Sequence, residues 1–123
     1  MSADASALLD EARRLLTNAP GDTAGMWPRA VALLARQALE IALDDFWRSK
    51  APGAQLASRH AQLICIGAFV KDVKVASGIR SAWNNLSRAC HHHAYELAPT
   101  ADELSRMIAG VDGFIHYLPT LEA

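Results

Sequence analysis

The chain has 123 residues, 51% of them apolar, with seven glycines, five prolines and a formal net charge of −1. That length can bury one hydrophobic core without disulfides or metal, so a single domain over residues 1–123 is expected. The near-neutral charge provides no global attraction to nucleic acid, and no apolar run approaches the ~18 to 20 residues that span a bilayer.

The apolar pattern is helical throughout, with no sustained two-residue alternation. The spacing predicts a first helix over about residues 3–18, burying Leu8, Leu9, Ala12, Leu15 and Leu16 and stopping before Asn18-Ala19-Pro20-Gly21. A second runs from about Met26 to Ser49, with Pro28 tolerated in its first turn and Ala51-Pro52-Gly53 ending it. It carries two apolar stripes, Trp27, Val31, Leu34, Ala38 and Ile41 on one side and Leu39, Leu43, Phe46 and Trp47 on another. Such a helix belongs at the centre of a bundle or under a partner chain.

A third helix is expected over about Leu56–Phe69, with Leu63, Ile64, Ile66, Ala68 and Phe69. The fourth, about Val75–Tyr95, has an inner stripe of Ile79, Ala82, Trp83, Leu86 and Cys90. The fifth begins at Thr100, where Thr100-Ala101-Asp102-Glu103 fits a capping box behind Pro99, and it buries Leu104, Met107, Ile108, Val111, Phe114, Ile115 and Leu118. Short connections between amphipathic helices favour antiparallel neighbours, so the expected fold is all-α, an up-and-down bundle of four to five helices.

The N-terminal Met1-Ser2-Ala3-Asp4 lacks the pattern of a secretory signal, which points to a cytoplasmic protein. Cys65 and Cys90 are expected to be buried free thiols. Arg36 and Glu40, one helical turn apart, fit an intrahelical ion pair. Trp27, Trp47 and Trp83 are read as core or interface residues. Asp44, Asp45 and Glu11 do not form the repeated Glu-x2-His set of a di-iron bundle. Neither a glycine-rich phosphate loop nor a Gly-x-Ser-x-Gly elbow is present.

The run Ser87-Arg88-Ala89-Cys90-His91-His92-His93-Ala94-Tyr95-Glu96 is the segment richest in chemistry. Arginine offers a planar fork of donors suited to phosphate, and histidine exchanges protons near neutral pH. The surroundings are locally basic: residues 71–93 hold Lys71, Lys74, Arg80 and Arg88 against Asp72 alone, while residues 94–123 hold five acids against Arg106. At about 100° per residue Arg88 stands about 180° from Ile79, on a polar ridge with Ser81, Asn84, Asn85, His91, His92 and Tyr95. On a regular helix His92 is about 40° from Arg88, His91 about 60° and His93 about 140°, so straight geometry favours His91 and His92 and leaves His93 nearer the core edge. Adjacent histidines point too far apart to ligate one zinc ion unless His60 or His116 completes the set, and no cofactor or metal is expected.

Arg88-Ala89-Cys90-His91-His92-His93 resembles the Arg-x4-His signature of the HEPN superfamily of small helical domains. Leu33-Leu34-Ala35-Arg36-Gln37-Ala38-Leu39-Glu40 is similar to the Arg-x2-Leu-Glu pattern in the second helix of HEPN-like branches, and Pro99-Thr100 starts a similar final helix. The resemblance spans about residues 28–118. It implies a homodimer whose motifs face each other across a cleft and cleave RNA without metal, with Arg88 and His93 as the motif pair and His92 as its geometric competitor. In this setting a toxin or defence role, with an antitoxin or nucleotidyltransferase partner, is the implied context. The chain departs from the family pattern at Ala89, where a polar residue is common. The alternative expectation is a non-catalytic helical interaction module that binds a partner, a nucleotide or an anion.

Overall fold

A computed structural model describes residues 2–18, 27–90 and 99–121. Its helices are α1 (Ser2–Asn18), α2 (Trp27–Lys50), α3 (Arg59–Phe69), α4 (Val73–Cys90) and α5 (Ala101–Leu121), with a 3-10 turn over Ala54–Leu56. Every regular element among the described residues is helical, and the architecture is an all-α up-and-down bundle. No helix among them is long and apolar enough to cross a membrane. The Ala19-Pro20-Gly21 stop, Met26, the run His91-His92-His93 and Tyr95 lie outside the described residues.

The helix starts follow from local capping, and two of them correct the boundaries expected from periodicity. The third helix begins at Arg59 rather than Leu56, because the Ser58 hydroxyl accepts from the Ala61 amide at 3.1 Å while residues 54–56 close a separate 3-10 turn. Gly53, at φ 100°, occupies the left-handed region that lets α2 turn into it. The fourth helix starts at Val73 rather than Val75, since the Asp72 carboxylate accepts from the amides of Lys74 (3.0 Å) and Val75 (3.3 Å). Thr100 and Glu103 form the reciprocal box ahead of α5, each side chain accepting from the other's amide at 3.1 Å.

α2 is the axis of the bundle, packing against α1, α4 and α5. Val31, Ala32, Ala35, Ala38, Leu39, Ala42 and Leu43 are all fully buried, which is how one helix has apolar residues on several sides. The far end of the core is aromatic. Phe46 meets Trp47 and Phe114 edge-on at 5.0 and 5.6 Å between ring centroids, and Trp47 meets Phe69 at 5.1 Å.

α4 and α5 cross closely at Gly78 and Gly110. A Cβ on Gly110 would lie 3.2 Å from the Gly78 carbonyl oxygen, so glycine there sets the separation of the two helices. The shorter α3 is the outlier. Leu63 and Ile66 face inward, but Ile64 is 65% exposed and the neighbouring Val73 is 79% exposed. Cys65 shares that outer face, so the expectation of two buried thiols is corrected: Cys90 is buried and Cys65 is exposed, both free.

Candidate functional site

Arg88 occupies the last turn of α4. The burial of Ile79, Ala82 and Leu86 against the core turns the opposite side outward, and Ser81, Asn84, Asn85 and Arg88 are all exposed on it. The described part of the polar ridge is therefore continuous, and a cation at its C-terminal end interacts favourably with the helix dipole. Ala89 and Cys90, which follow Arg88, turn back into the core. Because His92 and His93 lie outside the described residues, Arg88 is the one member of the expected catalytic set that the structure positions.

A second polar cluster fills the seam where α2, α3 and α4 meet. The Arg36 Nε lies 3.2 Å from Glu40 Oε1, as their one-turn spacing on α2 leads one to expect. The surroundings of this pair are decided by other helices. The Arg36 guanidinium carbon sits 4.8 Å from the centroid of the Trp83 ring, and that of Arg59 sits 6.0 Å from it. Arg59 makes three polar contacts: Nη2 lies 2.8 Å from Asp44 Oδ1 and donates to the Glu40 carbonyl at 3.3 Å, while Nη1 donates to Gln62 Oε1 at 2.8 Å. With Asp44 40% exposed, the ion pair contributes less than about 1 kcal/mol; its role is to hold α3 against α2 in one register.

Gln62 connects this cluster to the loop before α3. It is 2% exposed, and its Nε2 donates to the carbonyls of Ala54 (2.8 Å) and Ala57 (3.2 Å). A Gln62→Leu protein keeps the volume but strands these two carbonyls and one Arg59 donor. Chemical denaturation is expected to show a loss of about 2 kcal/mol, because a buried polar group without its partner costs on the order of 1–3 kcal/mol. A loss within about 0.5 kcal/mol, the range of an ordinary surface change, contradicts the bridging role.

Burial pushes the Cys90 thiol above its usual range, and the nearby positive charge of Arg36 partly opposes that shift. A thiol so placed stays protonated near neutral pH and is a poor nucleophile. Three buried side-chain polar atoms among the described residues have no hydrogen-bond partner: Arg36 Nε, Trp47 Nε1 and Ser87 Oγ. The Arg36 Nε thus lies at ion-pair distance from Glu40 without its N–H being directed at the carboxylate.

Elsewhere, an open groove of about 560 Å³ runs between α1 and α5, bordered by Arg13, Leu16, Thr17, Asp112, Gly113 and His116. Arg13 is paired with Asp112 at 3.2 Å, and His116 Nδ1 lies 2.9 Å from the Asp112 carbonyl oxygen. These groups satisfy one another. No group of three or more His, Cys, Asp or Glu side chains among the described residues is placed to hold a metal ion.

Sequence reasoning identified Arg88, Arg36 and Glu40 but missed Arg59, Asp44 and Gln62, and read Trp83 only as a packing residue. Arg59 and Gln62 are three apart on α3, a spacing that could have paired them, but the partners Asp44, Glu40 and Arg36 lie on α2, and no spacing rule relates them to α3 or to Trp83 on α4. No family model, curated protein or solved structure matches the chain.

Proposed function

We propose that the protein is a HEPN-like helical domain acting as a metal-independent endoribonuclease, as a homodimer in a cytoplasmic toxin or defence system. The observation that carries this reading is the Arg-x4-His spacing, with Arg88 projecting to solvent from the end of α4 in an all-helical bundle. The chemistry suits the residue types. The RNA 2′-hydroxyl attacks the adjacent phosphorus, the bond to the 5′-oxygen breaks, and the products are a 2′,3′-cyclic phosphate and a free 5′-hydroxyl. His93, or His92 in its place, takes the 2′-hydroxyl proton or returns one to the leaving oxygen, and Arg88 stabilises the charge that builds on the phosphate oxygens.

The test is cleavage of a mixed RNA pool in the presence of EDTA by the wild-type protein, beside His92→Ala and His93→Ala variants whose oligomeric mass is recorded. Loss of cleavage by about 100-fold or more in one variant, at unchanged mass, identifies the proton-transfer residue. No cleavage by a folded wild-type protein across several RNAs overturns the reading.

A second reading, a non-catalytic interaction module, is favoured by one observation: Ile64, Val73 and the Cys65 side of α3 leave apolar surface uncovered. A monomeric mass at working concentration, with no RNA cleavage, favours it over the first.

A further inference from the structure

The uncovered face of α3 carries an inference that rests on the homodimer of the proposed function but not on its RNA chemistry. Five large apolar residues are exposed among the described ones, and four of them, Leu56, Ile64, Phe69 and Val73, lie on α3 or within four residues of its ends. Charge is missing from the same stretch. With 20% of the chain charged, residues 51–70 would hold four charges at the average, and they hold only Arg59. Its guanidinium is turned inward, onto Asp44 and the Trp83 ring. A surface helix with no charge on its outer side is suited to being covered rather than solvated.

The pattern on that side identifies what fits it. Ala61, Ile64, Cys65 and Ala68 are all exposed, at the i, i+3, i+4, i+7 spacing of one helix face. The order Ala-x2-Ile-Cys-x2-Ala is symmetric in spacing about the midpoint between residues 64 and 65. A second α3 turned antiparallel about a two-fold axis at that midpoint brings Ala61 of each copy opposite Ala68 of the other, and Ile64 opposite Cys65. The alanines let the two backbones approach, and the bulk of Ile64 is matched by the smaller Cys65. Leu56 and Val73, at opposite ends of one α3, come to the same end of the pair. No like charges meet, whereas an acidic or basic partner finds nothing here to pair with. The exposed parts of these side chains amount to roughly 500 Å² per copy, the apolar share of the ~800 Å² per partner that a stable interface covers.

We propose that the protein dimerises through α3, packed antiparallel on the α3 of a second copy with the two-fold axis between Ile64 and Cys65. The contact uses the same surface on both copies, so it closes at two and leaves no face for a third.

The experiment records the mass of the reduced, full-length protein by light scattering over a dilution series. The expected wild-type mass is twice 13.3 kDa. Ile64→Glu and, separately, Ala68→Glu are expected to weaken the dimer by at least about 100-fold, since each copy then brings a carboxylate into an apolar contact. Both positions are exposed in the single chain, so the helical circular dichroism is expected to stay unchanged. Ala109→Glu, the same kind of change at the α1–α5 groove, is expected to leave the dimer intact. With Cys90 buried, a short bismaleimide is expected to join two wild-type chains through Cys65 and to join none in Cys65→Ser. In that serine background, Ala61→Cys chains mixed with Ala68→Cys chains are expected to crosslink to each other in preference to their own kind. A mass of 13.3 kDa at about 100 µM, a dimer indifferent to both glutamates, or crosslinking that prefers like chains overturns the proposal. A dimer that Ile64→Glu separates but that cleaves no RNA supports this interface and fails only the ribonuclease reading, whereas RNA cleavage by a monomer fails only the interface.

Discussion

Replacing Arg88 with alanine is expected to lower metal-free RNA cleavage by about 100- to 1,000-fold, the scale on which losing one charge-stabilising donor at a transition state is felt. The same change is expected to move stability by less than about 1 kcal/mol, because the side chain is exposed and gives up only its interaction with the end of the α4 dipole. The contrast between the two readouts is the informative part. A structural arginine loses stability and activity together, whereas a catalytic one loses activity alone. The variant also controls for contaminating nuclease, since it passes through the same purification as the wild type. Full activity in a well-folded Arg88→Ala protein removes the ribonuclease reading.

The largest effect on stability is expected at Phe46. Its ring is 2% exposed and touches Trp47 and Phe114 edge-on, so Phe46→Ala removes both contacts and leaves a cavity where α2 meets α5. Truncations of this kind cost about 3–5 kcal/mol, which is a large share of the roughly 5–15 kcal/mol that holds a domain folded. Thermal unfolding is expected to shift down by roughly 10–20 °C on the usual scaling for a chain of this size. Leu56→Ala is the matched control. Leu56 is 85% exposed on the 3-10 turn, and its loss is expected to stay within about 0.5 kcal/mol. A Phe46→Ala protein that unfolds like the Leu56→Ala protein contradicts the placement of the aromatic core.

The two predictions probe features with different origins in the chain. Arg88 faces solvent because Ile79 and Leu86 on the same helix are apolar and must be buried, a relation visible at helical spacing. Phe46 lies on one of the two apolar stripes of α2, which already marked that helix as central. The meeting of Phe46 with Phe114 was not legible, since 68 positions separate them in the chain. The surroundings of Arg36 were even less legible. Arg36 and Glu40 are related by one turn, but Trp83 comes to Arg36 only through the packing of α4 on α2.

What this sequence determined by itself is everything written at short range. The apolar periodicity specified five helices, Thr100 and Glu103 specified the start of the last, and the two-sided α2 specified its central place, because these depend on neighbours within about four residues. The tertiary structure alone decided which face of α3 stays uncovered, leaving Cys65 and Ile64 outside while Leu63 and Ile66 went in. It also decided that Arg59 would close on Asp44 and the Glu40 carbonyl, and that Trp83 would stack on Arg36. Each of those outcomes depends on how separate helices dock. Docking is set by the summed shape of many apolar side chains and by small steps such as Gly78 against Gly110, and no local spacing encodes that sum.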